Sequence, residues 1–131
     1  MASRDIRFLT PFLQRVFFNL RSWYVQMFPG RDLVLTCTYR SCEEQNELYQ
    51  QGRTKPGPIV TNVDGIKVKG KHNYNPAKAF DFAVLIDGKE TWSDKYYDSA
   101  WLFFRQAGLT KKVSWGRNWK NFKDRPHIEE V

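Results

Sequence analysis

The sequence predicts an α+β fold in a single domain, residues 1–131, with a small, mostly antiparallel sheet and flanking helices. Three observations predict it. Apolar residues recur at helical spacing near the N-terminus, β-branched runs bounded by turn residues follow in short pieces, and the overall order is helix, strand, helix, hairpins, helix, strand. At 131 residues, with 41% apolar and 16% aromatic content, the chain is long enough to bury a core of its own.

Leu9, Phe12, Leu13, Val16, Phe17, Leu20, Trp23, Tyr24 and Met27 share one helical face, Arg15, Asn19 and Arg21 take the other, and Pro29-Gly30 ends the run. A face this wide reads as an amphipathic helix in 1–30 packed on the rest of the domain. DLVLTCTY then reads as a strand. Ser41 and Glu44 form a capping box that starts a helix running to about Gln51 and ending at Gly52. RTKPGP cannot be regular structure, and IVTNVDGIKV after it reads as two short strands around an Asp-Gly turn. AFDFAVLIDGKETW repeats that logic. Ser93 is placed to cap a helix from Asp94 to Ala107, closed by Gly108. The last segment, VSWGRNWKNFKDRPHIEE, reads as a short strand, an aromatic and basic loop, and a final strand.

The net charge is +7, and between Arg105 and Arg125 seven Lys or Arg face a single acid, Asp124. An anionic partner follows, either nucleic acid or an anionic cell envelope, unless the basic face serves solubility alone. No uncharged apolar run reaches the roughly 18 residues of a membrane span. The N-terminus lacks a secretory pattern, so the chain is expected to be made in the cytoplasm and to reach any target outside it by another route. Cys37 and Cys42 match no zinc-knuckle spacing and read as reduced, half-buried and dispensable.

The two histidines of the chain are His72 and His127. A lone histidine near a terminus is most often a surface group. His72, however, precedes by nine positions Asp81, a carboxylate set between Phe80 and Phe82 in an apolar run. A buried carboxylate needs a partner or a metal. Two histidines and one carboxylate, with a fourth position left to water, are a common composition for catalytic zinc.

The pieces TYRS, LYQQGRTKPGPIVTN, HNYNPAKAFDF, WGRNW and DRPHIE, in that order over roughly residues 32–130, resemble the zinc-dependent peptidases that cut peptidoglycan stem peptides. That family includes D-alanyl-D-alanine carboxypeptidases and the L-alanyl-D-glutamate endopeptidases used as phage endolysins. The resemblance implies His72, Asp81 and His127 as ligands of one Zn2+ and Asp124 as general base. It implies Arg40 as the cation that steadies an oxyanion or a substrate carboxylate. Trp115 and Trp119 either wall the cleft or pack its loop. Two departures bear on the pocket: Gly70 stands where the family usually has serine, and Asn75-Pro76-Ala77-Lys78 lengthens the connection from His72 to Asp81.

LYQQGRTKPGPIVTN and the small size look most like the phage L-alanyl-D-glutamate endopeptidases, acting as a monomer on the host wall with an attraction to the anionic envelope. A D-alanyl-D-alanine carboxypeptidase is the alternative within the family. A basic nucleic-acid-binding module would explain the charge, though not His72, Asp81 and His127 in the family's register.

Overall fold

The computed structural model describes residues 2–119 and 123–131, and it has the α+β architecture that the sequence predicts. The helices are α1 (Pro11–Met27), α2 (Cys42–Gln50), α3 (Asp94–Asp98) and α4 (Trp101–Gln106). The strands are β1 (Arg31–Cys37), β2 (Ala79–Ile86), β3 (Lys89–Thr91), β4 (Val113–Trp115) and β5 (His127–Glu130). Among the described residues these strands pair antiparallel, in the order β1-β2-β5-β4, with β3 on the far end of β2.

Thr10 caps α1, accepting the Leu13 amide at 3.2 Å, and Pro11 fills the first turn, where a missing N–H costs nothing. Leu13, Val16, Phe17, Leu20 and Tyr24 are buried and join Phe80, Phe82 and Val84 of β2 in one core, while Met27 is half exposed. Phe17 meets Phe80 edge to face at 5.5 Å. With Phe80 and Phe82 turned to this core, the alternation of a strand sends Asp81 to the opposite face. The predicted hairpin forms at Asp87-Gly88, both at positive φ (50° and 81°), as a two-residue turn of this kind requires.

Three expectations are corrected. IVTNVDGIKV makes no strands. One carboxylate oxygen of Asp64 accepts the amides of Ile66, Lys67 and Val68 at 2.9–3.1 Å, and α2 holds the carbonyls of Val63 and Asp64 through Gln45 and Asn46. Backbone groups satisfied by side chains have no ladder to join. The segment instead becomes a wall beside α2. The helix expected from Asp94 to Ala107 is two pieces, α3 and α4. The Ser99 hydroxyl donates back to the Lys95 carbonyl at 2.8 Å, and the Ala100 and Phe103 amides close tight i→i−3 bonds around the break. Ser93 makes no side-chain cap. Gly108 closes α4 at φ +69°, as expected.

Candidate active site

Three strands lay out the site. Cys37 of β1 is level with Asp81 of β2, and Asp81 is level with His127 of β5, so one row across the sheet sets these three residues side by side. A 3-10 turn, Lys71–Asn73, brings in His72; the Arg40 amide bonds the His72 carbonyl at 2.9 Å, and Asn73 holds the Arg40 carbonyl, also at 2.9 Å. The stretch Asn75-Pro76-Ala77-Lys78, which lengthens the connection from His72 to β2, is used on the other side, where Ala77 exchanges backbone bonds with Phe8 and Thr10 ahead of α1. Gly70 lines the cleft, and a Cβ there would lie 3.3 Å from Asn73 Oδ1 and 3.4 Å from Val63 Cγ1.

His72 Nε2 and His127 Nδ1 both face Asp81 Oδ1, at 3.2 and 2.9 Å. The opposite nitrogens are committed. His72 Nδ1 is 2.7 Å from the Thr38 carbonyl, and His127 Nε2 is 2.7 Å from Glu129 Oε1. Both partners accept, so the outer nitrogen of each ring carries a proton, and the inner nitrogen, which donates to Asp81 while the ring is charged, is the one that would give up its proton to bind a metal. This is how metal-binding histidines are usually oriented. Asp81, Asp124 and His127 each bring a ligand atom within 4.8 Å of the others, and the donor set of two imidazoles and carboxylates suits zinc.

The electrostatics follow from this packing. Burial disfavours a charged His72, but the Asp81 carboxylate outweighs it and raises the pKa to about 10. His127 is likewise opposed by burial and raised to about 9, through its bonds to Asp81 and Glu129. Burial works against ionised Asp81 too, yet the two histidines hold its carboxyl well below the usual carboxylate range. Asp124 moves the other way. Burial, then the charge of Asp81, raises it above an ordinary aspartate.

Arg40, Asp124 and Trp119 line the same cleft as the histidines and Asp81, so all five site residues named from sequence come together. Trp119 lies with its ring centroid 5.1 Å from that of His127, whereas Trp115 is core, 1% exposed. Arg40 is held by three groups: Nη1 donates to Gln45 Oε1 at 2.9 Å, Nη2 to Cys37 Sγ at 3.3 Å, and Asp81 Oδ2 lies 4.0 Å from Nη2. Gln45 is itself buried and spends its amide on Thr61 and Val63 across the cleft.

Cys37 is the residue sequence reasoning misplaced. Both cysteines are free thiols, but Cys37 is buried within the site, 3.6 Å from His72 Nδ1. That nitrogen is already taken by Thr38, on the side of the ring away from Asp81, so Cys37 reads as a neighbour that seats Arg40 and His72 rather than as a ligand. Only the β1–β2 register reveals it. Gln45 and Glu129 also went unnoticed. Glu129 had a usable signal: two positions after His127 on a strand is the same face.

No protein-family model matches the chain. It is 43% identical over 109 residues to the peptidoglycan L-alanyl-D-glutamate endopeptidase CwlK of Bacillus subtilis, an alignment covering 78% of this chain and 62% of that protein. The chain thus matches less than two thirds of that relative's length. Its fold matches the crystal structure of the Serratia marcescens L-Ala D-Glu endopeptidase ChiX with a TM-score of 0.75, over 100% of this chain and 89% of that one; at 21% identity this likeness concerns the fold alone. The sequence relationship and the shared fold agree with the resemblance that the sequence motifs carry, to the peptidases that cut peptidoglycan stem peptides.

Proposed function

We propose that the protein is a zinc peptidase that hydrolyses the L-alanyl–D-glutamate bond of peptidoglycan stem peptides, in the manner of a phage endolysin. The observation that carries this reading is the convergence of His72, Asp81 and His127 on one point of the cleft, with Asp124 and Arg40 lining the same cleft. The name and 43% identity of the Bacillus subtilis relative support the choice of bond.

His72 Nε2, Asp81 and His127 Nδ1 would hold the zinc, which in such a set supplies Lewis-acid polarisation of a carbonyl and activation of water. The chain's own residues do the rest. Asp124 takes the proton from the attacking water and delivers it to the leaving amine. Burial and the charge of Asp81 raise its carboxyl above an ordinary aspartate, which strengthens it as a proton acceptor. Arg40, its guanidinium fixed by Gln45 and Cys37, aims donors at the developing oxyanion. Trp119 covers His127 and keeps bulk water from that side. Envelope attraction is assigned to the net charge of +7, and no described helix is long and apolar enough to cross a membrane.

The test is mass spectrometry of purified peptidoglycan after incubation with the zinc-loaded protein. New termini at L-alanine and D-glutamate are expected. Release of free D-alanine instead would make it a carboxypeptidase, and unchanged peptidoglycan would remove the peptidase reading.

A further inference from the structure

We infer that Lys71 is the specificity residue of the cleft, receiving the carboxylate that D-glutamate carries on the carbon next to the scissile nitrogen; the inference rests on the L-alanyl–D-glutamate reading above. A glutamate whose amine is in the scissile bond has its α-carboxyl, as acid or amide, on that adjacent carbon. A cleft that selects this bond therefore meets either a charge or a neutral carboxamide close to the metal-ligand cluster.

Among the described residues the cleft lining includes the acids Asp81, Asp124 and Glu129 but only two Lys or Arg, Arg40 and Lys71. Arg40 is fixed by Gln45, Cys37 and Asp81 and is assigned to the oxyanion in the reading above. Lys71 is not, since its ammonium has no hydrogen bond, ion pair or ring contact among the described residues. The neighbouring lysines show how this surface otherwise uses its cations. Lys69 and Lys78 lie over the Tyr74 ring, at 4.5 and 4.4 Å from its centroid. Lys71 stands apart from that cluster and lines the cleft.

Its backbone is fixed as well. Lys71 opens the 3-10 turn that carries His72, and its carbonyl accepts the Lys78 amide at 2.9 Å. The side chain therefore starts one residue from the cluster and has the freedom of a long stem at its tip. A flexible point charge of this kind suits a carboxylate whose exact position varies with the rest of the stem peptide.

The experiment compares two soluble peptides that differ only at the D-glutamate α-carboxyl, one a free acid and one a carboxamide, with zinc-loaded wild type, K71M and K71R. Wild type is expected to favour the acid by about tenfold in kcat/KM, mainly through KM, as suits loss of one charge-assisted contact. K71M should bring the acid-to-amide ratio toward one, and K71R should restore most of it. Lost stability or zinc affinity would lower both rates together and leave the ratio where it was. Equal cleavage of both peptides by wild type, or a K71M ratio unchanged from wild type, overturns the assignment of Lys71 alone. Failure of wild type to cleave either peptide overturns the L-alanyl–D-glutamate reading and this inference with it.

Discussion

The side of the cleft proposed to hold the metal and the side proposed to move the proton are built differently. Asp81 and His127 sit on adjacent strands in register, and His72 is tied to the end of β1 through the Arg40 amide, so backbone ladders place the converging nitrogens and oxygen. Asp124 and Trp119 sit on the connection between β4 and β5. Among the described residues that connection is held by side chains, by the close approach of Gly116 to Asp124, and by backbone bonds from the His127 amide to Asp124 and from the Phe82 amide to Pro126. Arg117 and Arg125 both reach Asp98, at 2.6 and 3.0 Å, Arg125 also reaches Asp94 at 3.4 Å, and Trp115 Nε1 bonds the Arg125 carbonyl. The two constructions predict different failures: substitutions on the strand side cost metal and stability together, and substitutions on the loop side cost turnover while leaving the metal in place.

The largest effect should come from His127→Ala. On the proposed reading it removes a metal ligand from β5 and leaves Asp81 with one histidine fewer, so zinc content, melting temperature and activity should all fall, because metal binding and folding are coupled. Zinc analysis and thermal unfolding with and without added metal measure this. A variant that keeps stoichiometric zinc would remove His127 from the ligand set.

Asp124→Asn should behave as the loop side does. The shape stays, the base is lost, and turnover should drop on the order of 10²-fold or more with zinc and melting temperature near wild type. Wild-type turnover, or zinc loss as complete as in His127→Ala, would break the division between the two sides.

Gly116→Ala probes the same side through the backbone alone. A Cβ at Gly116 would fall 2.0 Å from the Asp124 carbonyl oxygen, and the Gly116 carbonyl accepts the Asp124 amide at 3.0 Å. The loop has to move for a methyl group to fit. Turnover is expected to fall about tenfold or more, since small misplacements of catalytic groups are costly, with zinc retained. A crystal structure of the variant with Asp124 unmoved, or unchanged kinetics, would show that this contact does not set the base.

Much of this could be read from the chain because the ligand side is written in local pattern. His72, Asp81, His127 and Asp124 are named through the motifs that carry the family resemblance, although the connection from His72 to Asp81 is longer than the family's, and AFDFAVLIDGKETW announces both its strand and its turn. The misreadings arose where a side chain bonds the backbone. Asp64 and Ser99 divert amides and carbonyls from the ladder or helix that their neighbours favour, and apolar alternation does not register that competition. The place of Cys37 in the site is not legible in the sequence for a different reason. Its role depends on which residue of β2 lies opposite, and the register shifts between Leu35 and Cys37, so no count along either strand would have aligned it with Asp81.

The smallest effect, and the one that sharpens the comparison most, concerns Asp98. From sequence the run from Arg105 to Arg125 looks like a free basic face, but Arg117 and Arg125 spend their charge on Asp98, whose carboxyl they hold below its usual range against the opposing effect of burial. All three side chains are about a quarter to a third exposed, so each pair is worth little alone. Two guanidinium groups on one carboxylate nevertheless join α3 to both ends of the loop that carries Asp124. Asp98→Asn should lower turnover a few-fold on a soluble peptide and leave zinc content unchanged. Salt supplies the control. In wild type, moderate salt should slow soluble-peptide cleavage slightly by screening these pairs, while weakening wall binding more, because envelope attraction acts over longer range. In Asp98→Asn the slight slowing should disappear and the loss of wall binding should remain. If the variant keeps the wild-type salt response on the soluble peptide, the ion pairs are not what holds the loop, and Gly116 and Trp115 hold Asp124 without them.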